Sequence, residues 1–182
     1  MAHALNQRQR TLLLAAVAVL ALLAVTAVGL LLHDKAMVTD FSRKNLPPSL
    51  AYPFGTDWMG RDMLSRTLTG LSLSIRIGVL TAAVSAVVAL ALGTAAATLG
   101  RWVDAALSWC IDLVMGIPHI LLVMLISLAF GKGFVGVVAG VSLSHWTSLA
   151  RLLRGEVLQL RNAPYVLMAE KLGRTRLQVV RD

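Results

Sequence analysis

"TLLLAAVAVLALLAVTAVGLLL", residues 11–32, runs its whole length without a charged side chain. A helix needs about 20 apolar residues to cross the hydrocarbon core of a bilayer, and this stretch supplies them by itself. Arg8 and Arg10, just before it, also suit the positive flank of a cleaved signal peptide. The apolar part of such a signal is usually about 7–15 residues long, so length favours a retained transmembrane helix. The two arginines then place residues 1–10 on the cytoplasmic side. Composition agrees: of 182 residues 57% are hydrophobic and 14% charged, with a mean hydropathy of +0.75, which lies among membrane proteins rather than soluble domains. The net charge of +8 does not indicate nucleic acid, because the basic residues gather at the ends of apolar runs and define no groove or stacking platform. Cys110 is the sole cysteine, which excludes an internal disulfide and any multi-cysteine metal site; its apolar neighbours make it a small packing residue.

Residues 33–72 mix both charges with Pro47, Pro48 and Pro53 and are expected to form an external loop. Within it, Thr56 or Asp57 can cap a short interfacial helix. Asp57 with Arg61 and Asp62 with Arg66 stand at helical ion-pair spacing, and Trp58 suits a membrane interface. A second span is expected over 77–99, with Arg76 snorkelling at its outer end. Its small-residue stripes, Gly78–Ala82–Ala86 and Ala89–Gly93–Ala97, allow close approach of another helix in lipid.

After a turn at Gly100 and Arg101, Asp104, Ser108 and Asp112 form one polar stripe on an apolar helix. Carboxylates facing lipid are costly, so this stripe is expected at the cytoplasmic interface or against protein; an ion path or metal site is the alternative. A third span over 113–130 carries Pro118 as a kink. "GKG" at 131–133 reverses the chain into a fourth span over 134–150, where Gly136, Gly140, Ser144 and Ser148 recur every four residues and are expected to pack on a neighbour. His119 and His145 are expected to be hydrogen-bonded packing residues, since a metal site needs convergent ligands.

Four crossings from a cytoplasmic start return residues 151–182 to the cytoplasm, and their excess of arginine and lysine agrees. Here Tyr165, Met168, Ala169 and Leu172 keep helical spacing up to Gly173, and Leu177 and Val180 resume it: two short helices joined at a glycine. Such an amphipathic basic segment can lie on a membrane or dock in the groove of a soluble partner. The fold class is therefore all-α and polytopic, with about four transmembrane helices at roughly 20 residues each.

Four ordered blocks, "FGTDWMGRDMLSRTLTGLSLSIRIG", "GRWVDAALSWCIDLVMGIP", "ARLLRGEVLQLR" and "YVLMAEKLG", resemble the inner-membrane permease subunits of binding-protein-dependent ABC importers, in the dipeptide, oligopeptide and nickel branch. The resemblance covers about residue 50 onward. It implies a loop motif at Gly55, Thr56, Asp57, Gly60, Arg61, Asp62, Ser65 and Arg66, and a coupling helix that carries Tyr165, Ala169, Glu170, Gly173 and Arg174 into a cleft of an ATPase subunit. The family's loop begins Glu-Ala-Ala; here Leu167 and Met168 replace its first two residues, which bears on coupling strength. Residues 73–182 would be the permease core, and 151–182 its coupling segment. Implied partners are a second permease subunit, two ATPases and an extracytoplasmic solute-binding protein, working by alternating access. No resident cofactor or metal is implied, and no GxxxxGK[ST] sequence occurs, so ATP hydrolysis is expected on separate subunits and this chain is not an enzyme. The pattern leans slightly to nickel, possibly chelated, over peptide. In the family roughly two more helices follow, each needing about 20 residues, so a C-terminally truncated permease is expected. The rivals are a small anchor or scaffold whose basic tail binds anionic lipid, and a secondary transporter, which would show paired broken helices in inverted halves.

Overall fold

The computed structural model describes residues 6–173, except the side chains of Ala169 and Glu170. Arg174, Leu177 and Val180, and with them the second half of the expected coupling segment, lie outside the described residues. The described chain is helical, with no strand and one isolated bridge between Thr56 and Asp62. Its helices are α1 (Gln7–Leu31), α2 (His33–Met37), α3 (Met63–Thr98), α4 (Arg101–Gly116), α5 (His119–Ala129), α6 (Phe134–Arg161) and α7 (Pro164–Lys171), with a 3-10 turn at Phe41–Arg43. Among the described residues α1 and α3 are long and apolar enough to cross a membrane singly, and α4 with α5 qualifies as a third span if that pair, bent by 97°, counts as one. The chain divides into two compact units, Met1–Val79 and Leu80–Asp182, with the boundary inside α3.

In the first unit α1 is, beyond its first turn, apolar on all sides, and it is exposed nearly throughout, as a helix facing lipid is. The exception is Gly29, where α3 crosses so closely that a Cβ would fall 2.5 Å from Cβ of Ser72. Hydroxyls hold the crossing: Ser72 Oγ donates to the Thr26 carbonyl at 3.1 Å and Thr69 Oγ1 to that of Gly29 at 3.2 Å. In lipid such bonds and close van der Waals contact replace the hydrophobic effect.

The helix expected over 77–99 begins at Met63. Asp62 starts it, accepting from the Leu64 N–H at 3.1 Å and the Ser65 hydroxyl at 2.7 Å as an N-cap does, so neither Thr56 nor Asp57 caps a helix. Arg76 consequently sits inside α3, its Nε donating to the Ser72 carbonyl at 3.3 Å.

In the second unit the buried face of α3 is Thr81–Ser85–Ala89–Gly93–Ala97, while Gly78 and Ala82 of the other expected stripe stay exposed. Ser85 Oγ donates to the Ser142 carbonyl at 3.1 Å, and a Cβ on Gly93 would lie 2.9 Å from the Ala150 carbonyl oxygen. Ala89, Ile111 and Ala150 form the buried apolar centre, flanked by Trp146, Leu149 and Leu153. Across α5 and α6, Gly140 lies against Val123 and Gly136 against Ser127, and Ser144 is buried as well. The chain breaks at Ile117 and Pro118, between α4 and α5, because proline cannot supply the backbone donor a continuous helix needs. α6 continues past residue 150 to Arg161, since nothing in 151–161 stops a helix that leaves the apolar layer.

Candidate functional site

Three places gather polar or exposed residues. The first is the segment 38–62 of the first unit, which holds most of the loop motif. Gly55 and Gly60 take left-handed backbone (φ +70° and +75°), and Gly60 passes so near the Asp40 carbonyl that no Cβ fits. Thr56 Oγ1 accepts from the Leu46 N–H at 2.9 Å and donates to the Arg43 carbonyl. Asp57 closes a loop on itself, its Oδ1 accepting the N–H groups of Met59 and Arg61 at 2.9 Å each, and its Oδ2 the Arg61 Nε at 2.8 Å. Burial pushes this carboxyl up, but those three donors outweigh it and hold the pKa at about 2. Asp62 pairs with Lys35 at 2.9 Å rather than with Arg66, whose Nε lies 3.8 Å from Asp57. Burial raises the Asp62 carboxyl, and the Lys35 and Ser65 bonds bring it below its ordinary value. The Asp57 and Arg61 pair therefore forms in a loop, because Gly60 between them is left-handed.

The second place is a cavity of about 510 Å³ at the α4–α5 break, lined among others by Gly116, Ile117 and His119 on one side and Ser144, His145 and Ser148 of α6 on the other. The rings of His119 and His145 meet edge to face with centroids 4.9 Å apart. His145 Nδ1 lies 3.0 Å from the Val141 carbonyl oxygen. A carbonyl only accepts, so Nδ1 is the donor in this contact. The two histidines thus come together from different helices, which separate readings of each could not anticipate. Among the described residues no three or more His, Cys, Asp or Glu side chains converge as metal ligands.

The third place is the end of α6 and the helix after it. The carboxylate stripe of α4 lies against this end: Arg154 grips Asp104 with Nε on one carboxylate oxygen and Nη2 on the other, the latter at 2.6 Å, and Arg151 Nη2 reaches Asp112 Oδ1. Arg161 donates to the Ala97 carbonyl at the end of α3. Asn162 and Ala163 then turn the chain into α7, where Pro164 takes the first helical position that suits it. On α7, Tyr165 and Met168 are about two-thirds exposed, and Leu172 beyond its end is more so. Gly173 follows at φ +81°, the left-handed conformation that ends helices.

These features define a class: an all-α, multi-pass membrane protein whose helices meet at small residues and whose last described helix leaves an apolar face uncovered. Residues 87–182 match the family model for the binding-protein-dependent transport system inner membrane component. The chain belongs to that family. It is 31% identical over 161 residues to a dipeptide transport system permease protein of Bacillus subtilis (strain 168), covering 88% of this chain and 50% of the relative. An oligopeptide transport system permease protein of the same organism is 34% identical over 139 residues, 74% of this chain and 46% of the relative. A probable D,D-dipeptide transport system permease protein of Escherichia coli (strain K12) is 32% identical over 148 residues, 81% and 49%. The chain spans about half the length of the curated relatives it matches.

Proposed function

We propose that the chain serves as a permease subunit of an ATP-binding-cassette importer of di- or oligopeptides, and that α7 is its coupling helix. The carrying observation is the uncovered face of Tyr165 and Met168, ended by a left-handed Gly173, at the positions where the family resemblance puts the coupling loop. An amphipathic helix of this kind fits a groove on a soluble partner, here the ATPase subunit. In the sequence Glu170, Lys171 and Arg174 bring charge to this stretch. The partners are a second permease subunit, two ATPases and an extracytoplasmic solute-binding protein. Arg8 and Arg10, with the basic residues from Arg151 onward, put both the N-terminus and α7 on the cytoplasmic side, with segment 38–62 outside. That topology uses the first half of α6 as a fourth crossing. The α4–α5 cavity, polar at His119, Ser144, His145 and Ser148, belongs to the wall of the path. The relatives' names favour peptide over the nickel to which the sequence pattern leans.

The test is co-purification in mild detergent. Ala169→Arg and Gly173→Pro are each expected to lose the ATPase subunit while the chain still inserts in the membrane. If both variants retain it, α7 is not the coupling helix. If the unaltered chain never brings down an ATPase at any salt concentration, the lipid-binding anchor is the better reading. Uptake of labelled dialanine against nickel-63 settles the cargo.

A further inference from the structure

We infer that the two ion pairs between α4 and α6 form a latch that ties the α4–α5 cavity to α7, with Asp104 and Arg154 as positioning residues for coupling. This rests on the reading of α7 as the coupling helix.

α6 is one unbroken helix, so its ends move together. Near its middle it lines the cavity at Ser144, His145 and Ser148; one turn further it presents Arg151, then Arg154, and it ends at the turn into α7. α4 answers in the opposite direction: Asp112 lies just before the cavity residues Val114 to Ile117, and Asp104 two turns further away. Arg151 with Asp112 and Arg154 with Asp104 thus make two rungs on the side of the cavity nearer α7. The rungs are unequal. Asp112 and Arg151 are 70% and 50% exposed, where screening by water leaves an ion pair little strength. Asp104 and Arg154 are 29% and 31% exposed and joined by two parallel bonds, the stronger and more directional arrangement. Beyond the rungs, the 97° break at Ile117 and Pro118 lets α4 move without dragging α5 rigidly with it. A displacement of α7 therefore reaches α4 through Arg154, and α4 carries the near wall of the cavity.

The experiment uses the full-length permease assembled with its partner permease and ATPases in proteoliposomes, supplied with the solute-binding protein, labelled dialanine and ATP. Uptake, ATP hydrolysis and the amount of assembled complex are measured together. Asp104→Arg or Arg154→Asp alone is expected to lower dialanine taken up per ATP by between about 5- and 150-fold, the range typical of coupling between sites, with the complex still assembled. The exchange Asp104→Arg with Arg154→Asp is expected to recover most of that loss, and Asp104→Glu to stay near the unaltered value. The latch is refuted if the single variants keep their uptake per ATP, or if the exchange recovers assembly but not coupling. Uptake and assembly lost together in all charge variants would make the pair a fold contact only, which also refutes it. If the unaltered complex takes up no dialanine on ATP, it is the importer reading that fails, and the latch falls with it.

Discussion

Replacing Gly140 by alanine tests the closeness of α5 and α6, on which the cavity depends. The added Cβ would lie 2.7 Å from the Val123 carbonyl oxygen and 3.3 Å from its Cγ1, where ordinary contact begins at 3.4 Å. The helices must therefore part by about 0.7 Å, the difference between 3.4 and 2.7. A backbone carbonyl held in its own helix cannot step aside, so the whole contact shifts. Overpacking of this size costs about 1–3 kcal/mol. Alanine also gains about 1 kcal/mol over glycine inside a helix, which would blur a single measurement. Gly78 corrects for this, since it too lies inside a helix but a Cβ there meets nothing within 4 Å. Gly78→Ala should stabilise the protein by about 1 kcal/mol, and Gly140→Ala should lie about 1–3 kcal/mol below it. The assay is reversible unfolding in mixed micelles titrated with sodium dodecyl sulfate and followed by far-ultraviolet circular dichroism. Equal values for the two variants, within about 0.5 kcal/mol, would mean that α5 and α6 do not touch at Gly140.

Acid should open segment 38–62 through Asp57. Its folded pKa of about 2 lies below the ordinary 3.8, so the stability it lends is complete above about pH 4 and is lost as pH falls through 2. Pepsin cleavage within 38–62 should accordingly rise over that window, and Asp57→Asn should be cut as readily at pH 4 as the unaltered protein at pH 2; an unchanged profile in the variant would refute the role. Gly60→Ala combines a left-handed backbone, costing about 1–2 kcal/mol for any residue with a Cβ, with collision against the Asp40 carbonyl. It should expose the same segment to protease at neutral pH, whereas Gly100→Ala, left-handed but in open space, should not.

What was legible in the chain followed from local pattern. The uncharged run that becomes α1 could be read at once, because one property over one stretch decides it. A kink at Pro118 was equally plain, since a missing backbone donor acts where it stands, but not that it divides the expected span 113–130 between the end of α4 and the 11 residues of α5. The start of α3 was not. Asp57 and Arg61 have the spacing of a helical pair and do pair, yet the φ of Gly60 between them is +75°, so the same contact forms in a loop and the helix waits for Asp62. Along α3 the stripes Gly78–Ala82–Ala86 and Thr81–Ser85–Ala89 are both built of small residues and differ by less than a turn. Which one packs depends on where α6 lies, and the periodicity of α3 holds no record of that.

The site shows the same division more sharply. α7 could be placed from its own spacing and its closing glycine, but the partners of Asp104 and Asp112 lie 50 and 39 residues away on α6. The signal was nevertheless present as a mismatch of costs. Two carboxylates on an apolar helix are expensive unless paired, and the nearest run with two arginines on one helical face is Arg151 and Arg154. α6 itself changes language at that point: Gly136 and Gly140 hold α5 by close contact, while Arg151, Arg154 and Arg161 hold their neighbours by charge and hydrogen bonds. Close contact of small residues is the means available in hydrocarbon, and paired charge becomes tolerable where water begins. One helix written in both ways joins a wall of the α4–α5 cavity to the basic end that leads into α7.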